Sequence, residues 1–344
     1  MTPFVNSYGY VLLTDIIIPH QNTSLGALIF YDIHEPHSFS YNTELESYLS
    51  DVLEFYIKNK DKYKFLLYER HECDDITINP RLKLFIDWCR RVGIYDKLYI
   101  STSYYNLRCD FNFLYLPWFL GWSVIDNYKI TDRSVTKKFL FLNTRPRKHR
   151  RIFYDFFKDN NLLEDSHWTF GTHELYNPYV WDSTKYPIKN FNNNEEIPVS
   201  EMHHLIPQYR DSFVSVVTET FFFNKDEIDT PWNDIQPIPA FVTEKTEKCF
   251  SALHPFIIIS TPYFLKYLKE LGFKTFDKWW DESYDNELDD TIRLHKIQEI
   301  LLEISKWDNY KCMEVLYEMQ DTLEWNQRIN SEYELVNKKM IGLE

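Results

Sequence analysis

The chain has 344 residues, 44 % hydrophobic and 18 % aromatic, and a formal net charge of −14. That length allows two ordinary domains, each with its own core, and the apolar content excludes a disordered tail. The acidic balance argues against nucleic acid as a general partner. The exception is local: between Lys137 and Arg151 there are seven Lys/Arg and no acid.

Alanine occurs only at 27, 240 and 252, while Phe, Tyr, Asn, Ile and Lys are abundant, a bias that matches an AT-rich coding genome such as a viral one. The five cysteines (73, 89, 109, 249, 312) form no CxxC pair. Metal knuckles and a disulfide framework are therefore not expected, and a reducing cytoplasm, host cytoplasm if the source is viral, is the expected location. The N-terminal stretch MTPFVNSYGYVLLTDIIIPH carries no basic leader, and no apolar run reaches membrane-spanning length, so no membrane partner is expected.

In chain order, YGYVLLTDIII and GALIFYDI read as buried strands, being short apolar runs rich in β-branched and aromatic residues. NTELESYLSDVLEFYIKNK follows as a helix, with Leu45, Tyr48, Leu49, Val52, Phe55 and Tyr56 on one face and a Thr43–Glu46 capping box. KFLLYE is the next strand. A helix opened by Asn79-Pro80 and ended by Gly93 leads to the strand KLYIST. Alternation of this kind predicts a parallel sheet covered on both faces. Residues 103–135 break the rhythm and read as an interdomain connection, with a boundary near Thr131.

A second alternating unit then begins. KKFLFLN is a strand, TRPRKHR a loop, RIFYDFFKDNNLL a helix and SFVSVVTET another strand. Residues 221–239, with Pro231, Pro237 and Pro239, read as an insertion. A helix from Thr243, the strand PFIIIS and a helix closed by Gly272 follow. Past Thr291 the pattern is helical, with Ile297, Ile300, Leu301 and Ile304 on one face. The expected organisation is an N-terminal α/β domain (1–130), a C-terminal α/β domain (131–305) and a helical tail (306–344).

Two β–α junctions of the second unit carry charge suited to a ligand. In AFVTEKTEKCF, Thr243 reads as an N-cap, and Glu244 and Lys248 share a helix face with Lys245 one step round. This helix starts at the carboxyl edge of a parallel sheet, where open α/β folds bind ligands. A carboxylate there suits a ribose diol, and an ammonium beside a helix N-terminus suits a phosphate. The plain alternative is that Thr-Glu-Lys is simply a good helix opening. The second junction, FLFLNTRPRKHRR, offers Arg145, Arg147, Lys148 and Arg150, whose guanidinium groups match a diphosphate in forked geometry. Its alternative is a solvated or nucleic-acid-facing basic loop.

SVVTET followed by AFVTEKTEKCFSALHPFIII resembles the donor-site signature of the α-1,3-fucosyltransferase family, within the two-Rossmann GT-B class of glycosyltransferases. LFLN-R-R--HR, TEK--K------PFI and LGFKTF---WDESYD are similar to phage and large-virus glycosyltransferase-like proteins, over roughly residues 138–300. The resemblance implies two Rossmann-like domains facing a cleft and a nucleotide-sugar donor as co-substrate. By position it implies Glu244 on the ribose, Lys245 on the diphosphate, Arg145 or Arg147 as a second phosphate contact, and Glu219 in the place of the upstream glutamate. Thr243, Lys248 and Arg150 complete the donor-binding set. Two departures stand out: Thr220 replaces the asparagine of that signature, and the insertion separates its halves. Donor identity is left open by them.

An inverting transferase needs a base for the acceptor hydroxyl. Asp32, His34 and Glu35, with His37, follow a strand of the N-terminal domain, as do Glu69, His71 and Glu72; the first cluster is favoured. No Asp-x-Asp metal motif is evident, and cationic side chains are expected to meet leaving-group charge without an obligatory metal or other cofactor. The acceptor is a glycan, a protein side chain or hydroxylated cytosine in phage-type DNA. The alternative to an enzyme is a nucleotide-binding or virion-associated structural protein that keeps the fold without catalysis.

Overall fold

The computed structural model describes residues 4–6, 9–18, 23–33, 57–59, 61, 64–69, 87, 89–91, 93–102, 113–115, 120, 129, 131, 133–143, 147–171, 206–223 and 240–340. It divides the chain into two compact units, Met1–Trp118 with Glu332–Glu344, and Phe119–Ser331.

The first unit holds a six-stranded sheet of β1 (Phe4–Asn6), β2 (Gly9–Ile18), β3 (Thr23–Ile33), β4 (Lys64–Glu69), β5 (Leu98–Thr102) and β6 (Phe113–Tyr115), in that spatial order. β3 to β6 are parallel neighbours, as the alternation predicts. β2 and β3, however, pair antiparallel, with Val11 opposite Tyr31 and Ile18 opposite Thr23. Only four residues separate Ile18 from Thr23, whereas a parallel crossover needs about a dozen or more, so the chain turns back as a hairpin. The sheet is therefore mixed. β6 lies inside the stretch expected to be a connection, pairing Phe113 with Ile100. Of the two helices expected in this unit, helical backbone is described at 57–59, 87 and 89–91.

The second unit is an α/β fold on a four-stranded, all-parallel sheet: β7 (Lys137–Leu142), β8 (Ser166–Thr169), β9 (Ser212–Thr218) and β10 (Phe256–Ile259), in the order β10-β9-β7-β8. Every residue of β9 and β10 is buried, as expected of strands covered on both faces. Helix α1 (Lys148–Asp159) links β7 to β8, packing Phe157 against Phe139 and Phe141. The short α2 (Ile206–Asp211) precedes β9, and α3 (Glu244–Ser251) links β9 to β10. Helices α4 (Phe264–Glu270), α5 (Asp290–Ser305), α6 (Asn309–Glu318) and α7 (Gln320–Met340) complete the chain. Ile297, Ile300, Leu301 and Ile304 are buried, as their helical spacing predicts.

Strand order reverses direction between β7 and β9: β8 lies on one side of β7, while β9 and β10 lie on the other. This is the topological switch point, and right-handed crossovers on either side of it send α1 and α3 to opposite faces of the sheet. The N-termini of both helices follow the carboxyl ends of the two central strands.

At the opposite edge a buried clamp starts β9. Arg133 donates to the carbonyls of Ser212, Phe213 and Leu253. Beside it, His254 is fully enclosed, and each ring nitrogen faces one serine hydroxyl and one carbonyl: Ser212 for Nε2, Ser215 and Pro255 for Nδ1. Either neutral tautomer satisfies this arrangement. Burial, with the Arg133 charge, pushes the imidazole well below its usual range. The unfolded chain thus binds a proton at this residue that the folded chain refuses, and its contribution is present above pH ~6.5 and lost as pH falls below that value. Urea titrations at pH 7 and pH 5 should show wild type losing stability toward acid with a His254 component of at most about 1.4 kcal/mol per pH unit. A His254→Gln variant should be weaker at pH 7 but lack that component.

Candidate functional site

β9 ends at Thr218, yet the chain stays out of water: Glu219, Thr220, Phe221 and Phe222 are all buried. Backbone carbonyls that leave a sheet without reaching solvent need other donors. Cationic and imidazole side chains provide them. Arg150 donates to the carbonyls of Thr218 (3.1 Å) and Glu219 (3.3 Å), and His149 Nε2 lies 3.0 Å from the Glu219 carbonyl. Arg147 donates to Thr220 O (2.9 Å) and stands over the Phe221 ring. Arg293 of α5 donates to Phe222 O (2.5 Å) and stacks on the Phe222 ring. The basic junction is thus joined to the exit of β9 by the Arg147–Thr220 hydrogen bond, and the next residue back, Glu219, meets Thr243 at the other junction.

Thr243 caps α3 as its sequence predicts, its hydroxyl accepting from Lys245 N (3.3 Å). Glu219 (0 % exposed) completes that cap. Its carboxylate accepts from Thr243 N (3.2 Å), Thr243 Oγ1 (2.6 Å) and Thr246 Oγ1 (2.5 Å). An internal anion therefore occupies the positive end of α3, where a ligand anion would otherwise bind. Lys245 Nζ lies 2.7 Å from Thr243 Oγ1, 3.7 Å from Glu219 and 3.2 Å from Glu244. Glu244 and Lys245 form the accessible rim, with side chains 18 % and 26 % exposed. Burial opposes ionisation of Glu244, but the ammonium groups of Lys245 and Lys248 outweigh it and hold the carboxyl below its ordinary value. Lys248 is shifted down by burial, with Glu244 partly offsetting the effect.

The start of α1 differs. Its N-cap, Arg147, makes no side-chain cap bond, and its first turn contains no acid. Lys148 is exposed, with its ammonium 4.4 Å over the Phe223 ring. At the exit of β7, Asn143 (2 % exposed) is locked by its backbone to Thr169 and by its Oδ1 to the Thr218 hydroxyl. Its Nδ2 is buried without a hydrogen-bond partner, a state that costs about 1–3 kcal/mol. Asn143 and Thr218 escaped sequence reasoning; an amide at a strand's carboxyl end beside a basic loop was the available signal.

Of the donor-binding set, Arg147, Arg150, Glu219, Thr243, Glu244, Lys245 and Lys248 all gather at this edge. Glu219 and Arg150 are enclosed and turned onto the protein itself, whereas Arg147, Glu244 and Lys245 retain exposure. Arg145 lies outside the described residues, as do His34, Glu35, His37, His71 and Glu72. Asp32 lies in β3 opposite Tyr68, and Glu69 ends β4 opposite Ile33. Three acids of FKTFDKWWDESYD, Asp281, Glu282 and Asp285, are engaged in contacts within the protein. Asp285 accepts from Leu265 N and Lys266 N at the start of α4, and Glu282 accepts from Thr275 Oγ1 and Phe276 N. Asp281 holds Ser283. Among the described residues no group of three His, Cys, Asp or Glu could hold a metal ion, and no described helix is long and apolar enough to cross a membrane.

No protein-family model matches the chain, and no curated protein matches it in sequence. The buried and rim carboxylates should part in their effects on stability. Glu219→Ala, which strands three donors, should lower the unfolding free energy by about 3–5 kcal/mol. Glu244→Ala should cost about 1 kcal/mol or less. Urea denaturation followed by tryptophan fluorescence measures both.

Proposed function

We propose that the chain is a nucleotide-sugar-dependent glycosyltransferase whose donor sits at the switch point of the second unit. One observation carries this reading: a carboxylate–ammonium rim, Glu244 with Lys245, and a half-buried arginine, Arg147, stand at the starts of the two helices that follow the central parallel strands. A nucleoside diphosphate needs both charges. Glu244, held ionised by its neighbours, accepts from the ribose hydroxyls, while Lys245 and Arg147 face the diphosphate.

In the reaction the acceptor hydroxyl attacks the anomeric carbon, the bond from that carbon to the diphosphate oxygen breaks, and the hydroxyl proton passes to a base. Lys245 and Arg147 stabilise the charge that develops on the departing diphosphate. The first unit serves as the acceptor side of a GT-B-like pair, with Asp32, His34 or Glu35 as base if configuration is inverted. The acceptor is a glycan or hydroxylated cytosine in phage-type DNA, the location is cytoplasmic, and turnover proceeds without an obligatory metal. A second reading, a non-catalytic nucleotide-binding or virion-associated protein of the same fold, draws on the commitment of Arg150 and Glu219 to internal contacts.

Calorimetry with UDP, GDP and CMP should identify one preferred nucleotide. Glu244→Ala and Arg147→Ala should each weaken it about tenfold or more, as expected for charge-assisted hydrogen bonds. Unchanged affinity in both removes the pocket assignment. A panel of nucleotide sugars separates the two readings: the transferase hydrolyses or transfers one of them, and does so in the presence of a chelator, whereas the binding protein consumes none.

A further inference from the structure

We infer that Asn143, held by Thr218, is the hydrogen-bond donor that reads an oxygen of the bound anion, and that this anion is seated at the N-terminus of α1, with Lys245 meeting it from the already capped start of α3. The inference rests on the switch-point site proposed above and assigns its anionic half to one end. Two independent observations point to α1. Its N-terminus has no side-chain cap and no acidic residue in its first turn, while the contacts of Arg147 at its N-cap are the Thr220 carbonyl and the Phe221 ring. The N-terminus of α3, in contrast, is already neutralised by Thr243 and the Glu219 carboxylate.

Asn143 supplies the second observation. Phe139 and Phe141 pack on Phe157 of α1, so strand alternation puts Asn143 on the same face, at the end of β7 from which the chain passes to α1. The Thr218 hydroxyl donates to Oδ1, and the other arm of the carboxamide is Nδ2. Thr218 also offers its carbonyl to Arg150, so the amide and that guanidinium converge on one residue. What is left over is a buried N–H donor, Nδ2, without an acceptor. A phosphate oxygen satisfies it, and Arg147 supplies the adjacent charge.

The test uses the full chain and inorganic pyrophosphate as probe, with calorimetry as the readout and thermal melting to establish folding. Wild type should bind pyrophosphate. Asn143→Asp keeps the shape and the Thr218 contact but replaces the donor with a negative charge, and should weaken binding at least tenfold. Thr218→Val, which frees the carboxamide to rotate, should weaken it severalfold, and it decides the matter if Asn143→Asp does not fold. Wild type that fails to bind pyrophosphate, or folded variants that bind it as tightly as wild type, overturn the inference. Pyrophosphate binding with the expected losses, but no consumption of any nucleotide sugar, leaves Asn143 assigned and removes the transferase reading instead.

Discussion

The second unit depends on how β9 is allowed to end. A fully buried central strand normally surrenders its last carbonyls to solvent or to a loop. Here the five residues from Thr218 to Phe222 stay inside, and each exposed carbonyl would be a desolvated acceptor without a donor. Arg150, His149, Arg147 and Arg293 reach in from two helices and the N-cap of one of them to meet those carbonyls. Guanidinium suits this task because its planar fork can serve more than one carbonyl without a carboxylate partner. The same contacts bind α1 and α5 to the strand exit. Much of the basic cluster that looks like a ligand site in one dimension is therefore the scaffold on which the site stands.

That scaffold makes the two helix starts chemically unequal. α3 receives an internal anion through Glu219 and is tied at its far end to α7, where Asn330 donates to Glu247 and Ser251, and Gln327 donates to the Ser251 carbonyl. Further along, Trp325 and Asn326 of α7 hold the backbone at Gly272 and Lys274. Such a helix is fixed at both ends, and the Glu244–Lys245 pair rides on it as a rigid rim. α1 is anchored by its aromatic face on β7 but keeps its positive end uncompensated by any acid of its first turn.

Local signals were legible in the sequence and non-local ones were not. Thr243 as the cap of α3, the buried stripe of α5 and the all-parallel run around PFIIIS follow from short-range chemistry: a hydroxyl before a helix, 3.6-residue spacing, a β-branched run. β8 was not recognised, because SHWT is a short, mostly polar edge strand with neither alternation nor length. The first hairpin was misread as parallel, since apolar runs look alike in either direction and only the four-residue link tells them apart. For the site, the residue types were legible and their employment was not. Whether Arg150 faces a phosphate or a carbonyl is decided by Thr218 and Glu219, 68 and 69 residues away. Asn143 acquires meaning only beside Thr218, which is 75 residues distant.

Charge balance at the rim carries the argument one step further. Lys245 lies between two carboxylates, at 3.2 and 3.7 Å, and Glu244 also acts electrostatically on Lys248. Coulomb attraction over such distances, in a partly desolvated setting, is already satisfied by these neighbours, so α3 presents little net positive charge to a ligand. A dianionic diphosphate placed against α3 alone would have to compete with Glu219 and Glu244 for the same ammonium. Placed against α1, it meets Arg147, whose guanidinium contacts a neutral carbonyl and an aromatic ring. Under the proposed nucleotide-sugar reading, the negative end of the ligand falls to α1 and its hydroxyl-bearing end to the Glu244 carboxylate of α3.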